Sequence, residues 1–169
     1  MNDSDSELVA AELCSPQEEH FYETLAARSL VLQDGFKFWN SLHRDGVFPR
    51  RSDFNPFDVP SLMPNMLLFE VQDRPRDFRY RVIGTTVSEH FFTNWTGHWM
   101  SEIDHQKPPS RVWDTCDRVA STRHPILGKV PYVGPNSEFI YSEDLILPLV
   151  NDQDEVVNLL IFLSYIRKE

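Results

Sequence analysis

The sequence FRYRVIGTTVSEHFFTNWTGHWM, residues 78–100, contains the change of structure around which the rest of the chain can be placed. Its first residues alternate between apolar and basic side chains, which is typical of a strand with one buried face. Gly84 ends the alternation, and Thr86 followed three residues later by Glu89 forms a capping box. A strand that turns at a glycine into a short aromatic helix, expected to run to Phe92, suits a sheet that folds over a cavity.

Four other segments have the composition of strands. The nearest, Met66–Val71, should pair with Phe78–Gly84 as a hairpin, because residues 72–77 between them form a turn. The last, Val156–Tyr165, is apolar on both faces, so we expect it in the middle of a sheet, next to the first strand. The other two predicted strands are Ile126–Val133 and Phe139–Leu149. One face of the second strand should be formed by the apolar residues Phe139, Tyr141, Leu145, Leu147 and Leu149.

An apolar stripe predicts a helix near the N-terminus. The sequence SPQE at residues 15–18 is a typical helix start, with a capping serine, a proline in the first turn and a closing glutamate. The pattern then runs towards Leu42, and we expect Gly35 to bend the helix or divide it in two. The stripe consists of Phe21, Leu25, Leu32, Phe36, Trp39 and Leu42.

A second amphipathic helix is predicted after Pro108 and Pro109, with an apolar face formed by Val112, Trp113, Cys116, Val119 and Ala120. The order of elements predicts an α+β fold, in which a five-stranded antiparallel sheet carries short helices on one face and the N-terminal helix on the other. We expect an acidic flexible tail at residues 1–14, the N-terminal helix at 15–45, a proline-rich connector at 46–65 and the core of the domain at 66–169.

Charge and hydropathy exclude two classes of partner. The net charge is −10, and the first twenty residues contain six acids and no lysine or arginine. Because no basic cluster is dense enough to follow a phosphate backbone, we expect no nucleic-acid partner. No signal peptide is recognisable, and the longest apolar run, residues 159–163, is too short to cross a bilayer, so we expect a cytoplasmic protein without membrane contact.

Short motifs follow one another in a characteristic order: Phe38–Trp39, Leu62–Pro64, FRYRVIGT at 78–85, Thr96–Gly97 and LPL at 147–149. This order resembles a family of small, stand-alone bacterial PAS proteins, best known in alphaproteobacteria, over roughly residues 35–165. The resemblance implies a PAS fold and a sensory or interaction domain with no attached effector.

The same resemblance indicates which cofactors to expect. PAS domains that sense light carry a reactive cysteine in an Asn-Cys-Arg motif, which this chain lacks, and Cys116 has the position of a packing cysteine. Haem-binding PAS domains commonly use a histidine on the longer helix, and residues 107–123 contain none. No cysteine–histidine cluster suggests zinc. We therefore expect no cofactor and no metal.

A catalytic function has little support in the sequence. Asp104 and His105 are neighbours, but adjacent side chains on a loop point apart, and no nucleophile occurs in a recognisable motif. We therefore predict no catalytic residues and no enzyme activity.

Aromatic residues are the remaining indication of function. Those expected to surround the helical face of the sheet, where PAS domains hold ligands, are Phe91, Phe92, Trp95, Trp99, Trp113, Phe139 and Tyr141. They either fill the core or line a mostly apolar pocket with Tyr141, His90 or Arg81 as polar contacts. The residues predicted to bind a small apolar ligand are His90, Phe91, Trp95, Trp99 and Tyr141.

Three functions stay open at this point: a regulatory domain that responds to a small molecule, a pure protein-interaction module and, with least support, a small cone-shaped α+β enzyme. A signalling protein and a second copy of the chain are the expected protein partners. The stripe from Phe21 to Leu32 is longer than one small sheet needs, so we expect a homodimer through the N-terminal helix. In that dimer, Arg28 would need an acid from the partner or access to water.

Overall fold

The computed structural model describes residues 16–169, and the acidic tail expected at residues 1–14 lies outside them. The helices of this part of the chain are α1 (Pro16–Ala26), α2 (Leu30–Ser41), α3 (Thr85–Ser88) and α4 (Arg111–Thr122). Its strands are β1 (Met66–Asp73), β2 (Arg76–Ile83), β3 (Ile126–Pro131), β4 (Phe139–Val150) and β5 (Val156–Arg167). Between residues 16 and 169, no helix combines the length and the apolar composition that crossing a bilayer requires.

The strands form one antiparallel sheet in the order β2-β1-β5-β4-β3. The predicted five-stranded antiparallel sheet and the position of the last strand, in the middle and next to the first, are confirmed. The reason is the apolar sequence of β5, which is buried on both sides: Leu160 and Phe162 belong to one core, and Leu159 and Ile161 to the other.

Each face of the sheet has its own layer of helices. We call the side covered by α1 and α2 the outer face, and the side covered by α3 and α4 the helical face. On the outer face, Phe36 and Trp39 share a core with Phe162 of the sheet, and the Trp39 indole N–H donates to the Pro148 carbonyl at 2.8 Å. On the helical face, α4 buries the predicted stripe, with Cys116, Val119 and Ala120 buried and Val112 and Trp113 packed against them.

The N-terminal helical region is divided at residues 27–29, so the expectation of a break at Gly35 is wrong. Gly35 lies inside α2, where a Cβ would overlap the ring of Phe162. The glycine therefore has a packing role: it lets the helix approach β5 more closely than any other residue would allow.

Glu143 of β4 accounts for the position of the break. Its carboxylate accepts a hydrogen bond from the Ser29 backbone N–H at 3.1 Å and lies 4.0 Å from the Arg28 guanidinium. The Glu143 side chain is only 5% exposed, and a carboxylate buried to this extent needs such partners. The joint between α1 and α2 is thereby held against the sheet. Arg28 finds its acid within its own chain, so the expectation that it needs a partner subunit or water is wrong.

The first part of the apolar stripe is also covered from within the chain. Leu25 is 7% exposed and Leu32 is 0% exposed, and Phe21 packs against the core that contains both. The expectation that residues 21–32 have nothing of their own to cover is therefore wrong. The physical reason is that the chain turns at the joint, so that α1 contacts both α2 and β3. The homodimer stays a prediction, but it needs a different surface.

Between α2 and β1, the chain follows an irregular path through short 3-10 turns at Arg51–Asp53, Pro56–Asp58 and Met63–Asn65. The last of these turns affects the start of α3. Gly84 is the N-cap of α3, and a Cβ there would overlap the backbone carbonyls of Met63 and Pro64. Because α3 begins at Thr85 and has no side-chain cap, the predicted capping box and the extension of the helix to Phe92 are wrong.

A bulge in β4 separates two aromatic residues that the sequence pattern places together. The register of β4 against β5 shifts between Phe139 and Tyr141. A bulge inserts an extra residue and so reverses the side on which the preceding residues lie. Phe139 consequently packs near Tyr165 on the helical face, whereas Tyr141 shares the outer face with Glu143. The prediction that Phe139 and Tyr141 lie on the same face of the strand is wrong.

Candidate functional site

Side chains of the domain occupy the space between the sheet and the helical layer. The rings of Phe69 and Tyr80 lie 4.3 Å apart between centroids, and Phe78 meets Trp113 edge to face at 5.3 Å. Phe69, Phe78 and Met100 are at most 1% exposed. Aromatic pairs of this kind contribute about 0.5–1.5 kcal/mol each beyond their buried area. This part of the helical face is therefore a packed aromatic core.

Tyr80 brings a hydroxyl group into this core. Its Oη donates to Gln106 Oε1 at 2.8 Å, and both residues are buried. Burial raises the pKa of Tyr80, so the hydroxyl stays protonated and remains a donor across the physiological range. The two side chains satisfy each other, as buried polar groups generally do.

Asp144 brings a carboxyl group to the β3 end of the same face. It lies opposite Gly128 in the register of β3 and β4, and a Cβ at Gly128 would overlap the carboxylate. Burial raises the pKa of Asp144, while the charges of Arg111 and Arg28 and a hydrogen bond from the Gly128 backbone oppose this shift. Burial likewise raises the pKa of Cys116, which makes the thiol an inert core group and not a nucleophile.

His90 fills a box made of three aromatic rings. Its imidazole stacks on Tyr165 with centroids 3.6 Å apart and an interplanar angle of 24°. Its Nδ1 lies 2.7 Å from Tyr132 Oη, and Phe139 meets the imidazole edge to face at 4.6 Å. Burial lowers the pKa of His90, and the adjacent Glu89 opposes this shift. We call His90, Tyr132, Phe139 and Tyr165 the His90 junction.

The five residues predicted to bind a ligand do not form one site. Phe91 and Trp95 both pack on the helical-face core, and the Phe91 ring lies 6.1 Å from that of Tyr80. His90 belongs to the His90 junction. Trp99 lies beside the edge strand β2, where the Arg79 guanidinium is placed over its ring at 5.0 Å.

Tyr141 is separated from His90, Phe91 and Trp95 by the sheet. It is 39% exposed on the outer face, and the Lys129 ammonium lies 4.9 Å from the centre of its ring. Its predicted place between the sheet and the short helices is wrong, because of the bulge in β4. Arg81, considered as a polar contact, is exposed and lies 3.8 Å from Glu70. Ligand binding by the remaining residues stays a prediction.

Two residues of the His90 junction were not predicted from the sequence as site residues. Tyr165 had a detectable signal, because the alternation through Ile161 and Leu163 on β5 extends to it. Tyr132 had none: it follows the last residue of β3, and its hydrogen-bond partner His90 lies 42 residues earlier in the chain.

Surface clefts occur away from these aromatic residues. A cleft of about 470 Å³ lies between the end of α4 and the turns that join β1 to β2 and β4 to β5, and its charged lining residues are Asp73, Arg76, Arg123, Asp154 and Glu155. A second cleft, of about 240 Å³, lies beside the connector and is lined by Phe48, Arg50 and Asp53 among others. Neither cleft contains a residue of the predicted ligand site.

Metal ligation and acid–base chemistry find little support among the described residues. Within residues 16–169, no group of three or more histidine, cysteine, aspartate or glutamate side chains is arranged to hold a metal ion. Asp104 pairs with Lys107 at 3.0 Å, and the ring of His105 faces Trp95 at 6.2 Å. The neighbours Asp104 and His105 thus have separate partners.

Comparison with known proteins identifies the family of this chain. No curated protein shows significant similarity to this chain. Residues 28–164 match a family model described as PAS domain, which covers the region from the α1–α2 joint to the end of the central strand. The chain therefore belongs to the PAS domain family, whose members act as sensory or interaction domains.

Proposed function

We propose that this PAS domain is a non-catalytic regulatory module that acts through protein–protein contacts. The observation that supports this proposal is the packed aromatic core between the sheet and the helical layer, where the family resemblance implies a ligand. Phe69, Phe78 and Met100 are at most 1% exposed, and the hydroxyl of Tyr80 is already satisfied by Gln106. A ligand in this space would have to displace these side chains, so surface contacts are the simpler means of regulation.

The outer face offers a surface for such contacts. Large side chains that remain exposed on this side include Tyr22 at 48%, Leu30 at 72% and Tyr141 at 39%. Leu30 follows Ser29, whose N–H binds Glu143, and Tyr141 precedes Glu143 by two positions on the same face. We call Tyr22, Leu30 and Tyr141 the outer-face patch. Tyrosines are enriched at protein interfaces, and a second copy of the chain is the partner that one such patch can meet by symmetry.

Light scattering of the full chain tests this proposal. At about 50 µM, a dimer with a micromolar dissociation constant should be well populated. Leu30→Asp should weaken association by about tenfold or more. This change should not harm folding, since Leu30 is exposed and an acid at the first position of α2 interacts favourably with the helix dipole.

Phe57→Asp is the matched control, because Phe57 is 77% exposed and lies in the connector, outside the outer-face patch. It should leave the dimer unchanged. A monomeric mass for the unmodified chain would contradict the homodimer, and equal effects of the two substitutions would contradict the outer-face patch. Point variants are preferable to removing α1, since Leu25 of α1 is buried in the core.

A second candidate is a small apolar ligand on the helical face. The observation that favours it is the irregular segment after α3, where Phe91 and Trp95 are only half-buried against the core around Tyr80. Rings held by a loop can be displaced more easily than those held by a strand. Such a ligand would be apolar, since Phe91 and Trp95 supply the contact surface.

Thermal-shift screening distinguishes the two candidates. A compound that binds at this segment should raise the melting temperature, and Phe91→Ala and Trp95→Ala should reduce the shift. Tyr141→Ala is the control, because the sheet separates Tyr141 from the segment. A stabilising compound that is insensitive to Phe91→Ala and Trp95→Ala would contradict the ligand site.

A further inference from the structure

The His90 junction connects three parts of the chain that are distant in sequence. His90 follows α3 in the helical layer, Tyr132 and Phe139 lie at the two ends of the loop between β3 and β4, and Tyr165 lies near the end of β5. The imidazole contacts all three aromatic rings. It therefore joins the helical layer, the β3–β4 loop (residues 132–138) and the central strand at a single point.

The hydrogen bonds of Tyr132 fit a neutral His90. The Tyr132 hydroxyl oxygen accepts from the Asn136 backbone N–H at 3.3 Å, so its own proton is free to be donated elsewhere. The nearest acceptor is His90 Nδ1, at 2.7 Å. In that arrangement Nδ1 carries the lone pair, and the imidazole is neutral with its proton on Nε2.

The β3–β4 loop closes tightly over this pair. A Cβ at Gly134 would overlap Tyr132 Oη and would lie 2.9 Å from the backbone carbonyl oxygen of His90. Only glycine allows the loop to approach the His90 backbone this closely. The loop position therefore depends directly on the place of His90.

The charged groups around His90 come from each element of the junction. Glu89 is its neighbour in the helical layer, Glu138 lies on the β3–β4 loop, and Arg167 of β5 pairs with Glu138 at 3.7 Å. The Arg167 guanidinium also lies over the Phe139 ring at 5.3 Å. The titratable groups in contact with the imidazole are Tyr132 and Tyr165. Of these groups, Glu89 favours the charged imidazole, and burial of the ring, the larger effect, disfavours it.

We propose that the His90 junction is a pH-responsive latch, in which neutral His90 holds the β3–β4 loop on the helical face and protonation at Nδ1 releases it. A proton on Nδ1 would face the proton that Tyr132 donates, so the hydroxyl would have to turn away and lose its acceptor. The charged imidazole would also have to stay in a box of three rings with little access to water, which is unfavourable.

The sign of the pH dependence follows from the environment of the ring. Burial lowers the pKa of His90 in the closed state below its ordinary value, so protons bind more strongly to the open state. The contribution of the latch is complete above the ordinary pKa of histidine and is lost as the pH falls towards the lowered pKa. Opening would uncover Phe139 and Tyr165 beside Phe92 and Val133, which are 76% and 84% exposed in the closed state.

Hydrogen exchange of the full chain, corrected for the intrinsic effect of pH, tests the latch. Exchange in residues 132–138 should be several-fold faster at about pH 5 than at about pH 7.5, where histidine changes its charge. In His90→Gln this difference should disappear, since the Gln amide oxygen can accept the Tyr132 proton and does not titrate. His98→Gln is the control: His98 is exposed and pairs with Glu102 at 3.5 Å, so its loss should leave the pH dependence unchanged.

A second variant keeps the proposal testable if His90→Gln does not fold. Tyr132→Phe removes the donated hydrogen bond and should give fast loop exchange already at neutral pH. In NMR titrations of the unmodified chain, the His90 ring signals should change at a pH below the ordinary pKa of histidine. Loop exchange that does not respond to pH, or a Tyr132→Phe variant that exchanges like the unmodified chain, would overturn the latch.

Discussion

Gly35 of α2 lies directly against the aromatic ring of Phe162 on β5, so closely that a Cβ would overlap the ring carbons. The two residues set the distance between the N-terminal helix and the central strand. Phe162 is 0% exposed and surrounded by the outer-face core, so the ring has no space into which it could move.

The first prediction concerns this contact. Gly35→Ala should lower the free energy of unfolding, because overpacking a well-filled core costs about 1–3 kcal/mol, and the better helix propensity of alanine, worth about 1 kcal/mol, offsets only part of this. Urea denaturation measures the effect. Asp34→Ala, at the neighbouring exposed position of α2, is the control and should not destabilise. A Gly35→Ala variant as stable as the control would contradict the packing role of the glycine.

The second prediction concerns the joint between α1 and α2. Glu143→Ala should destabilise the domain by about 1–3 kcal/mol, because it leaves the Ser29 N–H without its acceptor and the half-buried Arg28 without its ion-pair partner. Glu138→Ala is the control: Glu138 precedes β4, is 65% exposed and pairs with Arg167 at the surface. The control should change stability by no more than about 0.5 kcal/mol. If both substitutions have the same small effect, Glu143 does not hold the joint.

The third prediction concerns the buried pair of Tyr80 and Gln106. Tyr80→Phe should cost about 1–3 kcal/mol, since it leaves the Gln106 amide buried without its donor. The double variant Tyr80→Phe, Gln106→Leu should recover part of this loss, because no polar group is then left unpaired. A double-mutant cycle in urea measures the coupling. Additive effects of the two substitutions would show that the hydrogen bond is not coupled.

The fourth prediction concerns pH. Burial raises the pKa of Asp144, so the folded state binds its proton more tightly than the unfolded state does. The contribution of Asp144 to stability is therefore present below the ordinary pKa of aspartate and is lost as the pH rises through the raised pKa. Asp144→Asn should stabilise the domain at neutral pH and have no stabilising effect in acid.

Thermal denaturation over a range of pH checks this expectation. Asp114→Asn, at an exposed position in the first turn of α4, is the control and should not stabilise the domain at neutral pH. A destabilising effect of Asp144→Asn at neutral pH would mean that Arg111 and Arg28 outweigh the burial of the carboxylate.

Local pattern was sufficient to predict much of this fold. The alternation in β1 and β2, the doubly apolar β5 and the helical stripe of α4 depend on periods of two and 3.6 residues, which can be read within one segment. The buried residues of these elements lie at the positions that the two periods predict. The central position of β5 next to β1 was also predicted from sequence, because β5 is apolar on both of its faces.

The candidate site was predicted less well, for a physical reason. One extra residue in β4 reverses the side of Phe139 relative to Tyr141, and no local period reveals a bulge. The break before α2 depends on Glu143, which lies 114 residues from Ser29. The role of His90 depends on Tyr132 and Tyr165, which only the folded sheet brings to it. The five strands and α4 follow from the sequence alone, because backbone periodicity is local. Which buried polar groups meet follows only from the folded structure, because their partners are distant along the chain.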